Sequence, residues 1–161
     1  MSSIARRVKD AHLTYLNDKK LVRIEHAIEE LARCGVQGCF VECGVALGGS
    51  GIMIASLMPE GRAFHGYDVF GMIPPPASEK DDEKSRARYE TIRSGQSRGI
   101  GGDQYYGYID NLYDRVVENF GRFGQSFGCR QFNCEPLIEL ILFAENPAHG
   151  GPRVSIDHEE R

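Results

Sequence analysis

Glu42, Gly44, Gly48, Gly49 and Ser50 fall together in the stretch FVECGVALGGSG, residues 40–51, between two apolar runs. Glycines at the junction of a strand and a helix mark a place where backbone approaches a ligand closely, because a Cβ would block the approach. In the dinucleotide fingerprint G-x-G-x-x-G the glycines cradle a pyrophosphate at the helix N-terminus. Here the spacing is G-x-x-x-G-G-S, and an acid stands two residues before the first glycine. A carboxylate repels a pyrophosphate by about 4 kcal/mol at about 4 Å and an effective dielectric of about 20. A ligand with local positive charge suits the turn better. S-adenosylmethionine carries an ammonium and a sulfonium at one end, and its carboxylate can use the helix N-terminus. The competing reading of Glu42 alone is a strand-end carboxylate satisfied by backbone amides.

A second acid tests that assignment. A ribose with two hydroxyls is best held by a carboxylate at the end of the following strand, about 20 residues on. Asp68 lies 24 residues after Gly44, and Phe70 follows it where an adenine needs an apolar face.

These residues need an α/β frame. Leu21, Ile24, Ile28 and Leu31 recur at helical spacing, which predicts a helix from Asp18 to Cys34, with Asn17 or Asp18 as cap and Gly35 as stop. Gly38 to Val45 reads as a buried strand, Ser50 to Met58 as a short apolar helix closed by Pro59, and residues 62–70 as a second strand. Strand, helix, strand with a crossover predicts a right-handed parallel pair. Three consecutive prolines from Pro74 then lead into a charged, solvated run containing Asp81 and Asp82. Tyr105, Tyr106 and Tyr108 either pack or line a pocket. Ile109, Leu112, Val116, Phe120 and Phe123 form a helical core stripe. Beyond Gly128, Pro136 to Ala144 suits a short helix and Val154 to Ile156 a third strand. His12, His26 and His65 are expected to be structural or solvated.

At 161 residues, 41% hydrophobic, 26% charged and net charge −4, the chain reads as one ordinary domain without the basic excess that nucleic acid favours. The start MSSIARRVKDAHL has no apolar signal core, and no run has the length of a membrane span, so a cytoplasmic protein is expected, with no membrane partner. Cys34, Cys39, Cys43, Cys129 and Cys134 form no C-x-x-C pair and are expected to be reduced core thiols.

The turn FVECGV-A-L-GGS, followed by Y-D-V-F-G-M-I-P-P-P and G-I-G-G-D-Q-Y-Y-G-Y, resembles the macrocin O-methyltransferase family over residues 20–124. The resemblance implies a class I, Rossmann-like open parallel sheet flanked by helices, incomplete at the C-terminus of this chain. It also implies S-adenosylmethionine as methyl donor, magnesium, and a hydroxylated, glycosidic small molecule as acceptor. Glu42, Gly44, Gly48, Gly49 and Ser50 would then hold the methionine end and Asp68 the ribose, with residues 74–108 as a lid. Within a single domain of residues 1–161 the divisions are an N-terminal helical segment (1–36), the cofactor-binding strand-helix-strand (37–70), a lid-like insertion (71–108), and a helix with an atypical end (109–161). The family's metal-bearing strand has its nearest counterpart in V-S-I-D-H-E-E, where Asp157 is more simply a solvated acid. No catalytic base is assigned. The alternative is a truncated, non-catalytic binding or interaction module, for which an open sheet edge would favour self-association.

Overall fold

The computed structural model describes residues 1–76 and 82–127. Its first helix, α1 (Ser3–Asp10), is capped by Ser2, whose side chain accepts from the Ala5 N–H, and buries Ile4, Ala5 and Val8. It ends in a Schellman arrangement: the Leu13 N–H reaches the Val8 carbonyl and the His12 N–H that of Lys9. That places His12 at φ 56°, in the left-handed region. Helix α2 (Asp18–Arg33) begins at Asn17, whose side chain accepts from the Lys20 N–H at 3.0 Å, and Gly35 beyond its end takes φ 65°. The predicted helix is thus present to within one residue.

Strand β1 (Phe40–Cys43) pairs in parallel with β2 (Phe64–Tyr67), in the register Phe40 to Phe64 through Cys43 to Tyr67. The α/β class and the parallel pair agree with expectation, and these two strands make up the sheet among the described residues. Both are shorter than the sequence suggests: Gly44 ends β1 by leaving β geometry at φ 88°, and β2 stops at Tyr67, ahead of Phe70 at φ 47°. Helix α3 (Gly49–Leu57) connects them. It is apolar on all sides because it is buried on several: α1, α2 and β2 pack around it, covering Ile52, Met53 and Ala55.

The charged run contains a helix that periodicity did not show, α4 (Glu83–Arg93), with Asp82 as its cap at 2.7 Å from the Ser85 N–H and Ile92 as its buried anchor. Asp82 is exposed, as expected, whereas Asp81 lies outside the described residues. Short 3-10 turns at Ile100–Gly102 and Tyr106–Tyr108 follow. The Tyr108 hydroxyl donates to the Ile92 carbonyl and accepts from the Ser97 N–H. Helix α5 (Leu112–Arg122) starts three residues later than the stripe predicts and buries Leu112, Val116, Asn119 and Phe120. Phe120 stacks on Phe64 at 5.8 Å and so ties α5 to β2. The expected helix 136–144 and strand 154–156 lie outside the described residues.

One expectation is overturned. Cys34, Cys39 and Cys43 are free but exposed, not core. The strand alternation explains it: Phe40 and Glu42 face the helices, while Val41, 52% exposed, and Cys43 point to the opposite face. Cys34 and Cys39 sit at the helix end and in the connecting loop. Cys129 and Cys134 lie outside the described residues.

Candidate functional site

The turn from Gly44 to Gly49 is pinned from every side. The Gly44 N–H donates to the Tyr67 carbonyl at 2.7 Å, and the Gly48 N–H to that of Val45 at 2.8 Å. Asn119, 2% exposed on α5, donates its amide to the Leu47 carbonyl at 3.0 Å. The Gly49 N–H is taken by the Leu13 carbonyl at 3.0 Å, so the N-terminal segment itself occupies part of the α3 N-terminus. Asn119 was legible only as a polar residue inside an apolar stripe, and no local pattern points to Leu13.

The glycines divide into two kinds. A Cβ on Gly48 would lie 2.9 Å from the Phe120 ring, and one on Gly49 would lie 2.4 Å from the Leu13 carbonyl oxygen. Both are buried packing glycines: the atoms that approach them belong to the protein. Gly44, at φ 88°, has open space where its Cβ would be. Of the three, Gly44 is the one over which a ligand can approach.

Glu42 is enclosed between β1 and α3. One oxygen accepts from the Ser50 hydroxyl at 2.5 Å, while Oε2 is buried with no hydrogen-bond partner. Burial pushes its carboxyl up to about 7, the Ser50 bond opposes that shift, and the nearby Asp68 charge adds to it. Near neutral pH it is therefore only partly ionised. An anion would thus meet a carboxyl that protonates at little cost, which weakens the repulsion. An incoming cation gains instead, by drawing Glu42 into its charged form.

Asp68 stands just past the end of β2, with Oδ2 accepting from the Ala46 N–H at 2.9 Å and Oδ1 from the Phe70 N–H at 2.9 Å. It thereby holds Ala46 and Phe70 at φ 49° and 47°. Each oxygen keeps a further lone pair for a hydroxyl. Phe70 is 8% exposed, and its ring meets Tyr113 and Phe127 edge-on, so most of it faces the core. Tyr105 and Tyr108 pack against one another, as in the simpler reading, and Tyr106 meets Tyr15 at 5.9 Å. Burial and the neighbouring Tyr105 raise the Tyr106 hydroxyl, and the Asp68 charge contributes. His12 contacts Asp103 at 3.1 Å on the exposed side of the same region.

A cavity of about 400 Å³ opens between α2 and β1. Glu42, Gly44 and Ser50 form part of its wall, with Ile24, Ile28 and Phe40 as apolar lining. The size is that of a small-molecule site. The magnesium implied by resemblance needs several oxygen ligands in one place. Among the described residues no three His, Cys, Asp or Glu side chains converge in that way, and Asp157 lies outside them. These residues do not fit the ion. Among the described residues, no helix is long and apolar enough to cross a membrane.

The profile of the macrocin-O-methyltransferase (TylF) family matches residues 6–116. Among solved structures, that of the O-methyltransferase NovP is similar, with a TM-score of 0.55 at 21% identity, over 73% of this chain and 46% of that one. The likeness is one of fold, and the chain spans less than half of NovP's length. No curated protein sequence matches it significantly.

Proposed function

We propose, for a chain that belongs to the macrocin O-methyltransferase family, an S-adenosylmethionine-dependent O-methyltransferase function directed at a hydroxyl of a small, glycosidic molecule. The observation that carries this reading is a buried acid, Glu42, with an unpartnered oxygen set against Gly51, in the wall of the same cavity as the open turn residue Gly44. A cationic ligand end supplies this acid with both a hydrogen-bond donor and a countercharge, whereas an anionic one supplies no countercharge. When bound, the cofactor supplies a methyl group on a sulfonium, open to in-line attack by an oxygen.

The chain's own residues bind and orient. Glu42 accepts from the ammonium, and the Ser50 hydroxyl keeps its carboxyl in place. Asp68 offers its remaining lone pairs to the ribose hydroxyls while its two backbone bonds hold the turn in shape. Asn119 and Leu13 fix the turn before any ligand arrives, so little ordering cost falls on binding.

Calorimetric titration of the folded chain with S-adenosylhomocysteine tests the reading. Binding is expected, weakened roughly tenfold or more in Glu42→Gln and in Asp68→Asn, the loss expected for a hydrogen bond to a charged group. Absence of binding, or affinity unchanged in both variants, overturns it.

A further inference from the structure

Two basic residues of α2, Lys20 and Arg23, line the same cavity as Glu42, Gly44 and Ser50. Neither has an ion-pair partner among the described residues. Their height follows from chain direction. The C-terminal end of α2 leads through residues 34–39 into the start of β1, so the helix runs back along the strand. The bond from the Gly49 N–H to the Leu13 carbonyl fixes the other end, a few residues before α2, against the start of α3. The first turns of α2 therefore stand level with Gly44 and Ser50.

We propose that Lys20 and Arg23 bind the carboxylate of the methyl donor's amino-acid end, while Glu42 binds its ammonium. The inference rests on the cofactor reading above and adds to it two residues from an element outside the glycine turn. A cavity with a buried acid in its wall and two free cations at its mouth is complementary to a zwitterion. The charges are not already joined, since no cation is among the groups that shift Glu42. Both cations are exposed on long, flexible stems able to close on a carboxylate, and the guanidinium can do so with two parallel bonds. The apolar wall of Ile24, Ile28 and Phe40 suits the methylene chain between the charged end and the sulfur.

The test compares two probes by calorimetry: S-adenosylhomocysteine, and 5′-methylthioadenosine, which keeps the nucleoside and thioether but lacks the amino-acid end. In the double variant Lys20→Gln/Arg23→Gln, S-adenosylhomocysteine should bind roughly tenfold or more weakly, as expected for a lost charge-assisted contact, with 5′-methylthioadenosine unchanged within about twofold. If wild type binds both probes and the variant leaves S-adenosylhomocysteine unaffected, or weakens both equally, this inference fails while the cofactor reading stands. If wild type binds neither, the cofactor reading fails and takes this one with it. Binding of ADP that depends on the two cations would assign them to a diphosphate and overturn the proposal.

Discussion

Burial pushes the Glu42 carboxyl up to about 7 in the folded chain, against about 4.3 when unfolded. The folded state thus holds the extra proton between those values, so the contribution of Glu42 to stability is complete below about 4.3 and is lost as pH rises through 7. The loss is on the order of 3 kcal/mol. Glu42→Gln should remove this dependence and unfold at higher denaturant concentration than wild type at pH 8, with little difference at pH 5. Parallel urea titrations at the two values check it, and equal midpoints at pH 8 would contradict the buried-acid assignment. The same proton links to ligand. S-adenosylhomocysteine affinity should rise from pH 6 to pH 7.5 and flatten, with proton release at pH 6 that calorimetry in buffers of different ionisation enthalpy resolves. At the same scale, maleimide should label Cys34, Cys39 and Cys43 in native protein, as peptide mass spectrometry can map, because none of the three is core.

At the scale of elements, the α3 start depends on neighbours distant in sequence. Gly49→Ala sets a methyl 2.4 Å from the Leu13 carbonyl oxygen. This is a backbone contact with no rotamer to yield, so a cost of about 1–3 kcal/mol is expected. It should also weaken S-adenosylhomocysteine, since the N-terminal segment and the turn move together. Asp82→Ala offers the contrast: it removes the α4 cap at about 1 kcal/mol and should leave S-adenosylhomocysteine affinity unchanged, since α4 contributes nothing to the cavity wall. Thermal melts with calorimetry on both variants separate the two, and a ligand effect in Asp82→Ala alone would reverse the assignment. Helix α4 leaves no periodic signal in the sequence because its apolar content is small. With Ile92 as its buried residue, it has a cap and the ion pair of Arg93 with Glu90 but no stripe for periodicity to register.

For the whole molecule, Phe120 is the joint. It is fully buried, stacks on Phe64, lies against Gly48 and Gly51, and meets Phe127 at 4.5 Å. Phe120→Ala should cost about 3–5 kcal/mol, and because the ring touches the glycine turn, stability and S-adenosylhomocysteine binding should fall together in denaturant and calorimetric measurements. A loss confined to α5, with binding intact, would show the joint to be local. Glu25 fastens the opposite end: burial alone would raise its carboxyl, but hydrogen bonds from Ser2 outweigh that and hold it below the usual range, which ties α1 to α2.

Much of the frame was legible in the sequence because it depends on near neighbours along the chain. The Asn17 cap, the stripe Leu21, Ile24, Ile28, the stop at Gly35 and the strand-helix-strand order of residues 40–67 all express spacings of a few residues. The candidate acids were legible for the same reason, as positions at strand ends. What tertiary structure decided is which atoms fill each space. Gly48 and Gly49 accommodate Phe120 and Leu13, Phe70 turns into the core, and Asn119 reaches the turn from 72 residues away. Lys20 and Arg23 share a cavity with Glu42, and the charge of Glu42 depends on what surrounds it. Burial and long-range approach are properties of packed chains, and local spacing carries no record of which distant segment arrives.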